Sequence, residues 1–200
     1  AELRGLGNVL RIVVENTDGD IFDPKYQETL RKINDELFLT PAFDRAWLKS
    51  LCTPSVRWTE VTEEGFQAED VIGGTVTPEA LDGPKIAVIR DRAARGGYTG
   101  SLVANDGSAA MIVADLLEED PGTHEQLDYL GLATRLEQEV RGKLETPEHE
   151  IEIVGFAKQI GDIADGARGV AGFFALATVL TALAVYWYCR SLLLTLLPIF

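Results

Sequence analysis

The feature that most constrains this fold is a run of uncharged residues near the end of the chain. The run covers residues 170–189, and a helix built from it would have only Thr178 and Thr181 on its polar face. At about 1.5 Å rise per residue, such a helix matches the roughly 30 Å hydrocarbon core of a bilayer. Buried helices of soluble proteins usually carry caps and a wider polar face. We therefore predict a transmembrane helix over residues 170–189.

The residues that follow this run support a membrane location. Aromatic residues 186–188 stand just before Arg190, as in the aromatic belt where membrane helices meet lipid headgroups. Apolar residues resume at once, but residues 192–200 would cover only about 14 Å as a helix. We expect them to be the truncated start of a second transmembrane helix, and the chain to be an excerpt of a longer polytopic protein. A signal peptide is excluded because such segments are N-terminal.

The rest of the chain is strongly acidic. Of its 18 basic and 32 acidic side chains only Arg190 lies in residues 170–200, which leaves 17 basic against 32 acidic groups in residues 1–169. A surface of that charge repels phosphate backbones, so nucleic acid is excluded as a partner. About 170 residues suffice for one domain with its own core. Cys52 and Cys189 fall in different parts of the chain, so we predict no disulfide within the domain and no cysteine-rich metal site.

Hydrophobic patterning predicts alternating strands and helices. Residues 8–15 form a continuous apolar run of strand length. Asp23 is placed to cap a helix that starts at Pro24 and buries a stripe of residues three and four apart. The stripe consists of Tyr26, Leu30, Ile33 and Leu37. We further predict a two-stranded ribbon within residues 56–72, a helix over 86–95, a hairpin over 99–116, a helix over 124–143 and a strand over 150–154.

This order of elements predicts an α+β fold. Without the ribbon and the helix over residues 86–95, it is βαββαβ, the split arrangement called ferredoxin-like. We therefore expect one sheet built from four strands, with the helices that begin near Pro24 and near His124 packed on the same face. The four predicted strands are residues 8–15, 101–105, 109–116 and 150–154.

No set of side chains suggests catalysis. Asp18, Asp20 and Asp23 resemble part of a calcium loop, but the glycine and the distal glutamate of an EF-hand are missing, and Asp23 is better explained as a helix cap. His124 and His149 lie far apart in sequence, without the partners of a zinc site or a Ser/His/Asp triad, and are expected to be solvated.

Two further groups have an ordinary structural explanation. Gly96 and Gly97 lack the lysine and hydroxyl residue of a phosphate loop, which argues against ATP hydrolysis. The acidic residues of the predicted ribbon could attract cationic substrates, but a charged edge that resists aggregation explains them better. We expect no enzyme, no cofactor and no tight metal site, and assign no catalytic, cofactor-binding or metal-binding residue. The acidic ribbon residues are Glu60, Glu63, Glu64, Glu69 and Asp70.

The segment between the domain and the predicted membrane helix is amphipathic. Phe156, Ile160, Ile163 and Ala167 are spaced four, three and four apart, and no proline separates them from residue 170. We therefore predict that a connecting helix over residues 156–169 continues into the membrane helix, with Asp165 and Arg168 spaced to form an ion pair on another face. Glycines at positions 161, 166 and 169 weaken this helix and indicate either close helix packing or a flexible joint.

Several segments together resemble a known family. The segments DGDIFDPKYQETLRKINDEL, PSVRWTEVTEEGFQAEDVI, YTGSLVANDGSAAMIVADL and GFAKQIGDIADGARGV are followed by a span that ends in CRSLLLTLLPIF. This series is similar to the first extracytoplasmic loop and following helices of resistance-nodulation-division (RND) superfamily exporters. It is most similar to the branch of mycobacterial-membrane-protein-large (MMPL) and hopanoid-type lipid exporters, where an FRS link resembles the RS link at residues 190–191. The resemblance covers essentially the whole chain.

The resemblance implies a function and a location. It implies that residues 1–155 are an extracytoplasmic porter domain at the bacterial inner membrane, starting just after a first transmembrane helix. The complete protein would be a proton-driven exporter of lipids or other hydrophobic molecules, with its proton-coupling carboxylates on later helices. Its partners would be the bilayer, the remaining transmembrane helices, a second porter domain and the hydrophobic substrate, and a homo-oligomer is allowed.

Two alternatives stay open at the level of sequence. The chain could be a membrane-tethered extracytoplasmic sensor domain of a signalling protein. It could also be a membrane-anchored hydrolase, which would need a nucleophile and a base that the sequence does not reveal. Lys158, Arg168 and Arg190 do not decide the orientation by the positive-inside rule, so the extracytoplasmic placement rests on the resemblance.

Overall fold

The computed structural model describes residues 8–63, 65–72 and 83–190. It divides into two compact units, Ala1–Gln159 and Ile160–Phe200, which we describe separately. The predicted start of a second transmembrane helix, residues 192–200, lies outside the described residues.

The first unit is built on a three-stranded antiparallel sheet. The central strand β1 (Val9–Asn16) lies between β4 (Ala109–Asp115) and β5 (His149–Gly155). Alternate residues along each strand are buried, and Ile12 in the centre lies opposite Ile112 on one side and Ile153 on the other. The sheet therefore has one buried face, and the chain has the mixed α+β class predicted from its sequence.

Helix α1 (Pro24–Leu39) forms where the sequence places it. The side chain of Asp23 accepts hydrogen bonds from the backbone N–H groups of Lys25 and Tyr26, at 3.0 and 3.2 Å, which confirms the predicted cap. Helix α2 (Gly83–Arg95) also forms and ends before Gly97, which adopts a positive φ of 72°. The predicted stripe of α1 is fully buried in the core, at Tyr26, Leu30, Ile33 and Leu37.

The next helix begins later than the sequence predicted. Helix α3 (Tyr129–Arg135) is capped by Asp128, and it continues through a π-helical turn (Leu136–Arg141) into the short α4 (Gly142–Leu144). The predicted start near His124 was wrong, because His124 has a left-handed φ of 55° that a helix does not accept. Leu132, Leu136 and Val140 from this helix lie in the same core as the buried stripe of α1.

Two predicted strand pairs have different outcomes. The ribbon is confirmed: β2 (Arg57–Thr62) and β3 (Gly65–Asp70) pair antiparallel. The strand predicted over residues 101–105 was wrong, since the structure has only isolated pairings there, such as Val103 with Ala110. The backbone turns at this point because the N–H groups of both Leu102 and Val103 donate to the carbonyl of Tyr98. A regular fourth strand is therefore missing from the described sheet.

Tyr26 ties α1 to all three strands of the sheet. Its hydroxyl donates to the carbonyl of Val14 on β1 at 2.6 Å and accepts from the N–H of Ala110 on β4 at 2.8 Å. The edge of its ring meets the ring of His149 on β5, with the centroids 5.5 Å apart. Burial raises the pKa of Tyr26 well above its ordinary value, so the hydroxyl stays protonated and able to donate.

We expect Tyr26→Phe to lower the free energy of unfolding by about 1 to 3 kcal/mol, since it removes both hydrogen bonds of a buried hydroxyl. The measurement is denaturant unfolding of the full chain in detergent, followed by near-UV circular dichroism. Tyr188→Phe is the matched control because Tyr188 is 91% exposed, and it should change stability by less than about 0.5 kcal/mol. Equal stability of the two variants would contradict the role given to Tyr26.

Candidate functional site at the start of the apolar helix

The last strand passes directly into a long helix. Strand β5 ends at Gly155 and helix α5 (Phe156–Cys189) begins at the next residue and runs for 34 residues. It covers both the predicted connecting segment, residues 156–169, and the predicted transmembrane segment, residues 170–189. This helix is long and apolar enough to span a membrane.

The first turn of α5 is packed into the first unit. Ala157 is fully buried, and the ring of Phe156 meets the edge of the Tyr129 ring, with centroids 5.7 Å apart. The Tyr129 hydroxyl also donates to the side-chain oxygen of Asn8, just before β1, at 3.1 Å. A side chain at Gly155 would come within 2.9 Å of the carbonyl of Val9, so glycine permits this close approach. The start of β1 and the start of α5 are therefore held against one tyrosine.

An ionic network surrounds the same turn. The ammonium group of Lys158 on α5 lies 2.8 Å from a carboxylate oxygen of Glu137 on the π-helical turn. Arg141, one turn further along, lies 2.9 Å from Glu145 and 3.9 Å from Glu152 on β5. The hydrogen bond that Arg141 donates to the Glu145 carboxylate raises the pKa of Arg141 above its ordinary value. We call Glu137, Arg141, Glu145, Glu152 and Lys158 the junction network.

The π-helical turn positions part of the junction network. The N–H of Gly142 donates to the carbonyl of Glu137, five residues earlier, where an α-helix would bond four residues back. A side chain at Gly142 would approach that carbonyl to 3.1 Å. The extra residue in this turn shifts the faces of the residues that follow it relative to a regular α-helix. This turn could not be predicted from the sequence, because helical spacing alone predicts an unbroken α-helix.

The far end of α5 carries an exposed aromatic group. Tyr186, Trp187 and Tyr188 are 45%, 85% and 91% exposed within the second unit. Exposed aromatic rings followed by Arg190 are typical of a helix end at a lipid–water interface. Closer to the first unit, Arg168 and Asp165 form the predicted ion pair, at 2.7 Å.

The aspartate-rich loop is a capping structure. Asp23 caps α1, while the carboxylate of Asp20 accepts from the N–H of Phe22 and pairs with Arg90 on α2. Among the described residues, no group of three metal-ligating side chains lies close enough together to hold a metal ion.

One of the two histidines is buried, contrary to the expectation that both are solvated. His124 is exposed, but His149 is only 5% exposed, and its Nδ1 lies 3.1 Å from the Thr29 hydroxyl. The alternation along β5 carries the signal that was missed. His149 shares its strand face with Ile151 and Ile153, which both point into the core.

The acidic ribbon is bound to basic side chains of its own chain. Asp70 lies 3.0 Å from Arg57, and Glu60 lies 3.4 Å from Arg95 on α2. Glu69 pairs with Arg92. These pairs favour the structural explanation of the ribbon over a surface that attracts cationic substrates. Glu64 lies outside the described residues.

Cys52 is a buried thiol next to α1. Burial raises its pKa to about 12, so it is protonated near neutral pH and a poor nucleophile.

Comparison with known proteins adds no relative. No family model, no curated protein and no solved structure matches this chain. Its function is therefore inferred from its own residues. The most informative contacts are those at the start of α5, which show how the first unit holds this helix.

We expect the Lys158–Glu137 pair to stabilise the first unit by about 1 kcal/mol, because Lys158 is largely shielded from solvent, with its side chain 17% exposed. A double-mutant cycle with Glu137→Gln and Lys158→Met, measured by denaturant unfolding, isolates this coupling. The control cycle uses Glu28 and Lys32, an exposed pair on α1 that should couple by less than about 0.5 kcal/mol. A coupling energy no larger than that of the control would show that the Lys158–Glu137 pair stabilises the first unit no more than an exposed ion pair does.

Proposed function

We propose that residues 8–159 belong to a loop domain of an RND-superfamily exporter, and that α5 carries the chain from this domain into the membrane. In this proposal the domain lies on the extracytoplasmic side of the bacterial inner membrane. The complete protein moves lipids or other hydrophobic molecules, driven by protons whose coupling groups lie on helices outside this chain. The chain itself is a part of a transporter and catalyses no reaction.

One observation carries this proposal. Leu10 lies opposite Gly155 across the β1–β5 ladder, and both Asn8 and Phe156 contact Tyr129. The chain therefore enters and leaves the first unit at the same end of the sheet. A domain inserted between two transmembrane helices needs this arrangement, because both helices have to reach the same membrane surface.

The strand order supports the finer proposal of a ferredoxin-like fold. The observed order β4-β1-β5, with both neighbours antiparallel to β1, is that of three of the four strands of a split βαβ sheet. The fourth strand would lie on the outer edge of β4. There, isolated pairings join Phe43 to Leu116 and Lys49 to Val113. We propose that the segment that contains Phe43 and Lys49 takes the place of the missing edge strand.

The direct passage from β5 to α5 suggests how the domain would act. Since no loop separates Gly155 from Phe156, and since Ala157 is buried and Lys158 is paired with Glu137, a movement of the domain has to move the start of the helix. A continuous helix transmits displacement along its axis and rotation about it, whereas a flexible linker transmits neither. The bilayer, the other transmembrane helices and a second porter domain would be the partners of this movement.

A short Gly-Ser insertion between Gly166 and Ala167 tests the proposal in the complete protein. We expect it to abolish transport while the domain stays folded, because a Gly-Ser segment is a random coil without a fixed end-to-end vector. The assay uses inside-out membrane vesicles with a fluorescent phosphatidylethanolamine as probe. It compares the fraction of probe protected from dithionite with and without a proton gradient.

The same insertion between Gly122 and Thr123, in an exposed loop, is the control and should leave transport unchanged. Protease resistance of the domain shows that both variants fold. If the unmodified protein gives no gradient-dependent protection of the probe, the exporter proposal fails and a membrane-tethered sensor is favoured. If it does transport but the insertion has no effect, α5 is only a tether.

A further inference from the structure

Three glycines lie within seven residues of the continuous helix α5. Gly166, Gly169 and Gly172 lie where charged residues give way to apolar ones, between Asp165 and Phe173. Each glycine lowers helix propensity about fivefold relative to alanine, so three of them weaken this segment roughly a hundredfold. Residues 165–177 are all exposed, so packing within the second unit does not compensate for that loss.

Packing within the described chain does not explain these glycines. A side chain built at Gly166, Gly169 or Gly172 would meet no atom within 4 Å. Elsewhere glycine does answer a steric need. A side chain at Gly155 would come within 2.9 Å of the backbone carbonyl of Val9. Alanine would fit at all three α5 positions and would make a stronger helix.

The segments on either side are more firmly held or richer in helix-forming residues. On the side of the first unit, Ala157 is buried and Lys158 is bound to Glu137. On the other side, residues 173–189 contain no glycine and no charge, so apolar surroundings would favour a fully hydrogen-bonded helix there. The weak segment is thus confined between two stronger ones.

We propose that Gly166, Gly169 and Gly172 form a hinge that lets the two parts of α5 tilt relative to each other. A helix that bends at glycine keeps its hydrogen-bonded path, so the hinge frees tilt but preserves rotation and length. This distinguishes it from the Gly-Ser insertion, which breaks the path altogether. The hinge would let residues 160–165 change their inclination relative to residues 173–189 without breaking the helix.

Spin-label distances in the full chain test the hinge without any transport assay, so the result does not depend on the exporter proposal. Labels are placed by Gln159→Cys and Thr178→Cys, in a background where Cys52 and Cys189 are replaced by alanine and serine. The chain is reconstituted into phosphatidylcholine nanodiscs. A straight helix places the two labelled positions about 28 Å apart. We expect a broad distance distribution for the three-glycine chain, and one about twofold narrower when all three glycines are replaced by alanine.

Two controls separate bending at the glycines from other causes of a broad distance distribution. Labels at Leu176 and Tyr188, both beyond the glycines, should give narrow distributions in both chains. In the alanine-substituted chain, Ala164→Gly, Ala167→Gly and Ala171→Gly restore the glycine content at neighbouring positions and should restore the breadth. A narrow distribution in the three-glycine chain, or equal breadth before and after substitution by alanine, would overturn the hinge. A narrow distribution in the three-glycine chain would instead indicate that the glycines serve close packing against a helix outside this chain.

Discussion

The fold depends on the position of the Tyr26 hydroxyl between two strands. It joins the carbonyl of Val14 to the N–H of Ala110, while the ring edge meets His149, so a single side chain from α1 touches β1, β4 and β5. A slip of either outer strand by one residue would turn its buried side chains outward. It would also take Ala110 of β4 away from the hydroxyl, or His149 of β5 away from the edge of the ring. Tyr26 thereby adds a polar constraint to the register that the apolar face already favours.

That register determines where α5 can begin. Because Leu10 is opposite Gly155, the last residue of β5 lies beside the first residues of β1, and α5 starts at the same end of the sheet. The contacts that hold this start are of two kinds. Phe156 and Ala157 are held by apolar packing, while Lys158 is held by a carboxylate on the π-helical turn. Apolar packing is not weakened by screening, whereas ion pairs weaken as salt screens them. The attachment therefore does not rely on charge alone.

The sequence predicted what local signals determine. The cap at Asp23, the buried stripe of α1 and the long apolar helix follow from spacing and residue type, and the structure has all three. The errors arose where backbone hydrogen bonds depart from the regular helix or strand pattern. The backbone near Val103 bends around Tyr98, and no local pattern announces that turn. The π-helical turn likewise has no local pattern in the sequence that predicts it. His149 was the exception, because its burial follows from a local pattern. The alternation along β5 places it on the buried face of the strand together with Ile151 and Ile153.

The two parts of α5 are supported in different ways. At its start, burial and an ion pair fix the helix to the first unit, and each contact depends on the register that Tyr26 helps to set. Further along, exposed residues and helix-weakening glycines leave the backbone hydrogen bonds as the main support. In the proposed hinge, a force applied to the first unit would bend α5 at the glycine segment, its weakest point, because the burial of Ala157 and the Lys158–Glu137 pair hold residues 156–159. Since that point lies between the charged and the apolar parts of the helix, bending there exposes no buried core and leaves the apolar segment intact.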